Sequence, residues 1–309
     1  MRPVRVVAAV IRDAQRQILL TRRPEHVHQG GLWEFPGGKR EAHETAFQAL
    51  CRELQEEVDI QVAHARPLIK INHDYGDKQV ELDVWEVEQF EGKAWGREGQ
   101  AWTWVSEADL DAYAFPAANV PIIKAARLPA WYGVLEGDSV AQVLQRYQQF
   151  LTRGVGMVQL RLKNLAPAQR RLLIEQLLQT DQAGMCWILN SDRQSEGDFS
   201  VQGLHLTTQA LMALSHRPTF PGWIGASCHD LAQLQHAERL GLDFAVLSPV
   251  QATTTHPQAQ PLGWQAAATL IEAVNLPVYL MGGLAMADWE RARLLGAQGI
   301  AGITSFLDR

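Results

Sequence analysis

Gly37 to Ile60 reads GGKREAHETAFQALCRELQEEVDI, and the fold of the first part of the chain hangs on how it is read. The stretch follows the apolar run Leu32-Trp33-Glu34-Phe35-Pro36 and opens on a corner at Gly37-Gly38, where a backbone without Cβ can approach a ligand closely. Ala46, Ala49, Leu50 and Leu54 then recur at helical spacing, so a helix with one apolar stripe is expected. Glu53, Glu56 and Glu57 stand at i, i+3 and i+4 on another face, where three carboxylates are expected to converge. Like charges so placed repel by roughly a few tenths of a kcal/mol per pair. A hard divalent cation removes that repulsion, because Mg²⁺ prefers carboxylate oxygens, water and substrate phosphates. The competing reading of these glutamates is a solvated acidic face.

The chain around this stretch has 309 residues, enough for about two domains. With 47% hydrophobic and 20% charged residues it can bury sizeable cores. Its net charge is −6 and it has no clustered Lys and Arg, which argues against duplex nucleic acid as a direct partner. Cys51, Cys186 and Cys228 are far apart and odd in number, which fits neither a disulfide framework nor a metal spacing. The apolar run Val6–Ile11 stops at Arg12, too short for a signal peptide, and no run is long enough for a membrane span. A cytoplasmic protein is expected.

Val4–Ile11 and Gln17–Thr21 read as strands, as do Ala65–Asn72, Gln79–Glu88 and Ala101–Val105. Arg23 at a strand end is placed to meet phosphate or a base edge, or is a surface charge. His28 reads as a loop histidine. Glu98 lies between glycines on a loop, where its carboxylate could reach the acidic helix as a further ligand or as a base. Asn119, at a turn into a helix ending near Arg127, is either an N-cap or a reader of a base.

Gly38, Glu44, Arg52-Glu53-Leu54, Glu56-Glu57 and Ile60 form a frame that resembles the Nudix box, the loop-helix-loop that hydrolyses nucleoside diphosphates linked to another group. Its usual late glycine is Asp59 here. Leu32–Lys39, Trp95–Gln100 and Phe115–Ile122 extend the likeness to MutT-type 8-oxo-dGTP diphosphatases over residues 1–127. That resemblance implies an α/β/α sandwich over residues 1–128 and Mg²⁺ held by the Gly37 carbonyl, Glu53, Glu56, Glu57 and Glu98, with Mn²⁺ able to substitute. Glu53 or Glu98 would take the proton of the attacking water, and Arg52 with Glu44 would brace the loop. Arg23, His28, Glu34, Phe35, Pro36 and Gly37 would line the nucleotide site, and Asn119 would read the oxidised purine. The family's arginine before the next strand is Lys78 here, which offers no planar bidentate contact.

From Trp131 the pattern alternates strand and helix, which predicts a (β/α)₈ barrel over residues 131–309. The fold class expected for the whole chain is therefore α/β. Gln159 to Lys163, Asn190, Gly203–Leu206, Gly225–His229, Ser248–Thr255 and Gly282-Gly283 follow an order that is similar to thiamine-phosphate synthases and TenI-type thiazole tautomerases. The resemblance implies site roles for Arg161, Lys163, Asn190, His229, Gly282 and Gly283. Three departures stand out: Ser191 where the family has Asp (though Asp192 is adjacent), Ala210 for an acid, and His256 for a lysine. A reaction that expels diphosphate needs that metal and charge, which weighs against synthase activity; the readings that stand are a thiamine-pathway enzyme (thiazole tautomerase or thiamine-phosphate synthase-like), a ligand-sensing module or a stabilising barrel. The chain ends at Arg309 without a closing helix, and the first domain or a second subunit is expected to cover that flank.

Overall fold

A computed structural model describes residues 3–191, 199–253 and 258–308. The chain divides into two compact units, Met1–Leu128 and Pro129–Arg309. Among the described residues no helix is long and apolar enough to cross a membrane.

The first unit runs β1 (Val4–Ile11), β2 (Ile18–Arg22), β3 (Trp33–Glu34), β4 (Gly37–Lys39), α1 (Ala46–Val58), β5 (Ile60–Asp74), β6 (Gln79–Gly92), β7 (Trp102–Val105) and α2 (Val120–Arg127). A 3-10 turn, Ala117–Asn119, leads straight into α2. The sheets are ordered β4-β1-β6-β5 and β3-β2-β7. β1 is apolar on both faces because both are covered. Val7, Ala9 and Ile11 pack with Ala49, Leu50, Leu54 and Val58 of α1, whereas Ala8 and Val10 pack with Ile122 and Ala125 of α2. This is the α/β/α sandwich.

α1 starts at a capping box in which Gln48 N–H donates to Thr45 Oγ1 and Thr45 N–H to Gln48 Oε1. It ends at Asp59, whose φ of 58° puts a non-glycine residue in the left-handed region. Hydrogen bonds hold it there: Gln55 Nε2 donates to one carboxylate oxygen at 2.9 Å and Trp95 Nε1 to the other at 3.0 Å. Asp59 thus supplies by side-chain tethers the turn that glycine would supply by freedom.

The second unit is a closed, all-parallel barrel of eight strands. It comprises β8 (Trp131–Leu135), α3 (Val140–Thr152), β9 (Met157–Leu160), α4 (Pro167–Thr180), β10 (Cys186–Asn190), β11 (Gly203–Leu206), α5 (Thr208–Ala213), β12 (Trp223–Cys228), α6 (Leu231–Arg239), β13 (Phe244–Leu247), α7 (Trp264–Glu272), β14 (Val278–Leu280), α8 (Trp289–Leu294) and β15 (Gly299–Gly302). Among the described residues no helix follows β15. The flank is not bare: Phe306, 1% exposed, stacks on Trp131 at 5.7 Å and meets Phe150 of α3 edge-on at 5.9 Å. Asp308 pairs with Arg153 at 2.5 Å.

Inside the barrel Tyr132, Tyr279 and Phe244 meet at 5.5–5.6 Å between ring centres. His205 joins them fully buried, with Nε2 2.8 Å from Ser227 Oγ and Nδ1 3.2 Å from Tyr132 Oη. Burial, aided by the charge of Arg161, pushes the His205 pKa down to about 3. A histidine held neutral in the fold and free to protonate when unfolded makes acid destabilising. Its contribution is complete above pH 6.5 and is lost as the pH falls toward 3. The barrel is expected to lose on the order of 3 kcal/mol between pH 6.5 and 4 from this group. Urea midpoints of the barrel transition check this, and the dependence should flatten in His205→Gln.

Candidate active site

The glycine corner is positioned by pairing with β1. Ala9 N–H donates to Pro36 O and Arg40 N–H to Arg5 O, so antiparallel alternation turns the Gly37 N–H and carbonyl away from β1, toward the open edge of the sheet. There the Gly37 N–H donates to Glu57 Oε2 at 2.8 Å. A Cβ on Gly38 would run into the Glu53 carboxylate, so the acid lies directly against the backbone.

Arg52 is the hub of the acidic helix. It grips Glu44 in bidentate fashion at 2.6 and 2.9 Å, and reaches Glu53 Oε1 at 2.9 Å, Glu56 Oε2 at 3.1 Å and the Lys39 carbonyl at 3.0 Å. These bonds, with one from the Glu41 amide, hold the Glu44 carboxyl down at about 2. The pair does not run along the helix, because Glu44 lies in the loop before the Thr45 cap. The guanidinium ties loop to helix instead.

Spacing alone predicts that Glu53, Glu56 and Glu57 share one surface, and the structure shows how each is turned without a metal cation. Glu53 and Glu56 lean onto Arg52 while Glu57 turns to Gly37, and among the described residues no group of three His, Cys, Asp or Glu side chains is gathered as a metal centre. The intervening cation relieves the repulsion that the spacing creates. Glu98 is exposed, and its backbone N–H donates to Gln100 Oε1. Its loop is nevertheless fastened to the end of α1, since Arg97 N–H and Gln100 Nε2 both donate to Glu57 O.

The donor chemistry suits a hard cation. Burial raises the carboxyl of Glu57 to about 7 against the opposing Gly37 N–H, and raises that of Glu53 against the opposing Arg52. Oxygen donors beside a glycine corner match Mg²⁺ or Mn²⁺.

Next to this edge lies a cleft of about 90 Å³ lined by Arg23, His28, Glu34, Phe35, Gly37, Lys78 and Asn119. Pro36 is buried, though it does not line the cleft. Arg23 donates to the His28 carbonyl at 2.8 and 3.1 Å and pairs with Glu34, whose carboxyl is raised by burial and lowered in part by that arginine. Phe35 is buried and stacks on Phe115 at 5.6 Å. His28 stands 3.7 Å from Asp77. Asn119 is only 8% exposed and makes no side-chain cap bond to α2, so the N-cap alternative falls away. Tyr75 also lines the cleft, as do Val80 and Leu82 of the expected strand Gln79–Glu88 and Pro116 and Ala118 of the Phe115–Ile122 segment. The one signal for Tyr75 was its place in the turn Asp74-Tyr75-Gly76 just before Lys78.

The barrel opens at the C-terminal ends of its strands into a cavity of about 870 Å³ that includes His229, Ser248, Gly282, Gly283, Thr304 and Ser305. His229 Nδ1 lies 2.7 Å from the Ser248 carbonyl. Gly282 and Gly283 have left-handed φ of 100° and 69°, and a Cβ on Gly283 would strike the Ala252 carbonyl. Loop packing therefore already accounts for the second glycine. Arg161 is not among the residues lining the cavity and pairs with Glu136 at 2.9 Å. Lys163 is exposed, and Asn190 is buried at 7% exposure with no partner for Oδ1 among the described residues. Burial pushes the Cys228 thiol up to about 12, so it is no nucleophile at neutral pH. Asp192, Thr254, Thr255 and His256 lie outside the described residues, as does Arg309.

Residues 7–125 match the NUDIX domain family and residues 132–306 the thiamine monophosphate synthase family. The chain belongs to both, one per unit. Over 123 residues it is 42% identical to the 8-oxo-dGTP diphosphatase of Escherichia coli K12, covering 40% of this chain and 95% of that protein. It is 36% identical over 125 residues to the CTP pyrophosphohydrolase of the same organism, covering 40% and 92%. The second unit is 35% identical over 160 residues to the thiamine-phosphate synthase of Herpetosiphon aurantiacus, covering 51% and 78%.

Proposed function

We propose that the first unit is an 8-oxo-dGTP diphosphatase that clears oxidised nucleotide from the cytoplasmic pool before it enters DNA. Water adds at the β-phosphorus, the bond from that phosphorus to the α–β bridging oxygen breaks, and 8-oxo-dGMP and pyrophosphate leave. The observation that carries the reading is Asn119, a buried carboxamide on a cleft wall with no capping duty. Guanine presents two acceptors, N7 and O6. Oxidation at C8 protonates N7, so a carboxamide oxygen can accept from N7 while its NH₂ donates to O6. Against undamaged guanine the oxygen faces an acceptor, and such mismatches separate substrates by roughly 10⁴.

The Gly37 carbonyl, Glu53, Glu56, Glu57 and Glu98 would hold Mg²⁺, which when bound neutralises phosphate charge and stabilises the leaving group. Arg52 keeps Glu44, Glu53 and the glycine corner in register. Glu53 or Glu98 takes the proton of the water.

A second reading, a broader nucleoside triphosphate diphosphatase, draws on Lys78 at an arginine position of the family and on the CTP-hydrolysing relative. Relative kcat/KM for 8-oxo-dGTP, dGTP and CTP with the full chain separates the two. A preference of 10³ or more for the oxidised purine is expected from the mismatch argument, and equal turnover of all three ends the first reading.

For the barrel we propose ligand binding without diphosphate-expelling chemistry. A thiazole phosphate should raise the melting temperature of the full chain by a few degrees. If no thiazole or pyrimidine phosphate shifts it, and residues 1–128 alone keep full activity, the barrel serves the hydrolase only as a stabilising partner.

A further inference from the structure

We infer that Asp59 is a positioning residue: its carboxylate clasps the loop that carries Glu98 to the end of α1, and so keeps Glu98 within reach of the acidic helix. This rests on the hydrolase reading, in which Glu98 serves the site. Glu98 is exposed, so where its carboxylate stands depends on what holds its loop.

The loop is a tight turn of its own. Glu98 N–H donates to Gln100 Oε1 at 3.0 Å and Gly99 N–H to Gly96 O at 3.1 Å. Its exit is fastened by Gln100, whose Nε2 donates to Glu57 O at 2.9 Å, and its middle by Arg97 N–H, which donates to the same carbonyl at 3.0 Å. Its entry is fastened by Asp59. One carboxylate oxygen accepts from Gln55 Nε2 at 2.9 Å, which sets the carboxylate against α1, and the other accepts from Trp95 Nε1 at 3.0 Å. Trp95 N–H adds a bond to Val58 O at 3.2 Å. The Arg97 guanidinium strengthens the same side, donating to Gln55 O at 3.0 Å and standing 3.6 Å from Asp59 Oδ1. The turn itself does not call for a carboxylate. Asp59 has a φ of 58° and its N–H already donates to Leu54 O, a geometry that glycine adopts without steric cost. Trp95 is 47% exposed, so packing alone does not hold its ring. What the aspartate adds to the turn is the bond to that indole.

Asp59→Gly separates the turn from the clasp, since glycine keeps the left-handed backbone and removes both side-chain bonds. In the full chain, without metal or nucleotide, amide hydrogen exchange at Trp95, Arg97, Glu98 and Gly99 should speed up about tenfold, the yield of one hydrogen bond of ordinary strength. The melting temperature should change little. Asp59→Asn tolerates the turn and keeps an acceptor for the indole, so its exchange should stay near wild type. With nucleotide present, Asp59→Gly should need several-fold more Mg²⁺ for half-maximal rate, and Asp59→Asn should not. KM for the nucleotide should hold in both, because the cleft lined by Arg23 and Asn119 is untouched. Unchanged exchange in Asp59→Gly overturns the inference, and so does an equal speed-up in Asp59→Asn. Faster exchange with an unmoved Mg²⁺ requirement also overturns it, because the clasp would then not position Glu98. If the wild-type chain hydrolyses no nucleotide, the hydrolase reading falls instead, and exchange alone decides whether Asp59 clasps the loop.

Discussion

Glu53→Gln is expected to lower kcat for nucleotide hydrolysis by about 10²- to 10⁴-fold, the range for losing a positioned acid–base group. Glutamine has nearly the same shape and keeps one acceptor for Arg52, but it can neither take a proton nor offer anionic charge to a cation. The environment makes the change specific. Glu53 lies against Gly38, is raised by burial, and receives an Arg52 hydrogen bond at 2.9 Å. Stability should hold or improve slightly, because a partly buried carboxylate is replaced by a neutral group. Glu98→Gln should cost less than Glu53→Gln, since Glu98 is exposed and its loop is fixed by backbone and Gln100 bonds instead. Pyrophosphate release at saturating Mg²⁺ measures both. Should the order reverse, Glu98 is the base.

Asn119→Ala is expected to reduce the preference for 8-oxo-dGTP over dGTP by about 10²-fold, the effect of roughly 3 kcal/mol when a charged or buried hydrogen-bond pair is lost. Turnover of dGTP should hold or rise, because alanine removes the carboxamide oxygen that faces the N7 acceptor of undamaged guanine. Melting temperature is the internal control. Removing an asparagine that caps a helix destabilises by about 1 kcal/mol. Here the side chain makes no cap bond, so the melting temperature should stay within a degree or two. A large drop in stability with unchanged selectivity would mean that Asn119 serves the fold.

Period-2 and period-3.6 patterns made most of the fold legible in the sequence. β1 could be read because its alternate residues feed two cores, and the barrel strands because each is a short apolar run between helical stretches. β3 and β4 escaped notice because strands of two and three residues at glycine-rich edges carry no period. β5 extends beyond the expected Ala65–Asn72; its ends hold exposed polar residues, and its register shifts near Pro67 blur the alternation. At the site, the glutamates were legible by spacing but their directions were not, since spacing says nothing about a guanidinium that competes for them. Asp59 reads in the sequence as a missing glycine. Only the structure shows Gln55 and Trp95 holding it in the left-handed region.

Phe306 gives the second unit a built-in reporter. Its ring is sealed between Trp131 and Phe150, and the residues after it are latched by Arg153 and Gln149 to α3. A protease that cleaves after aromatic residues reaches this bond only once the ring leaves its slot, so the rate of nicking there would time the release of this seal.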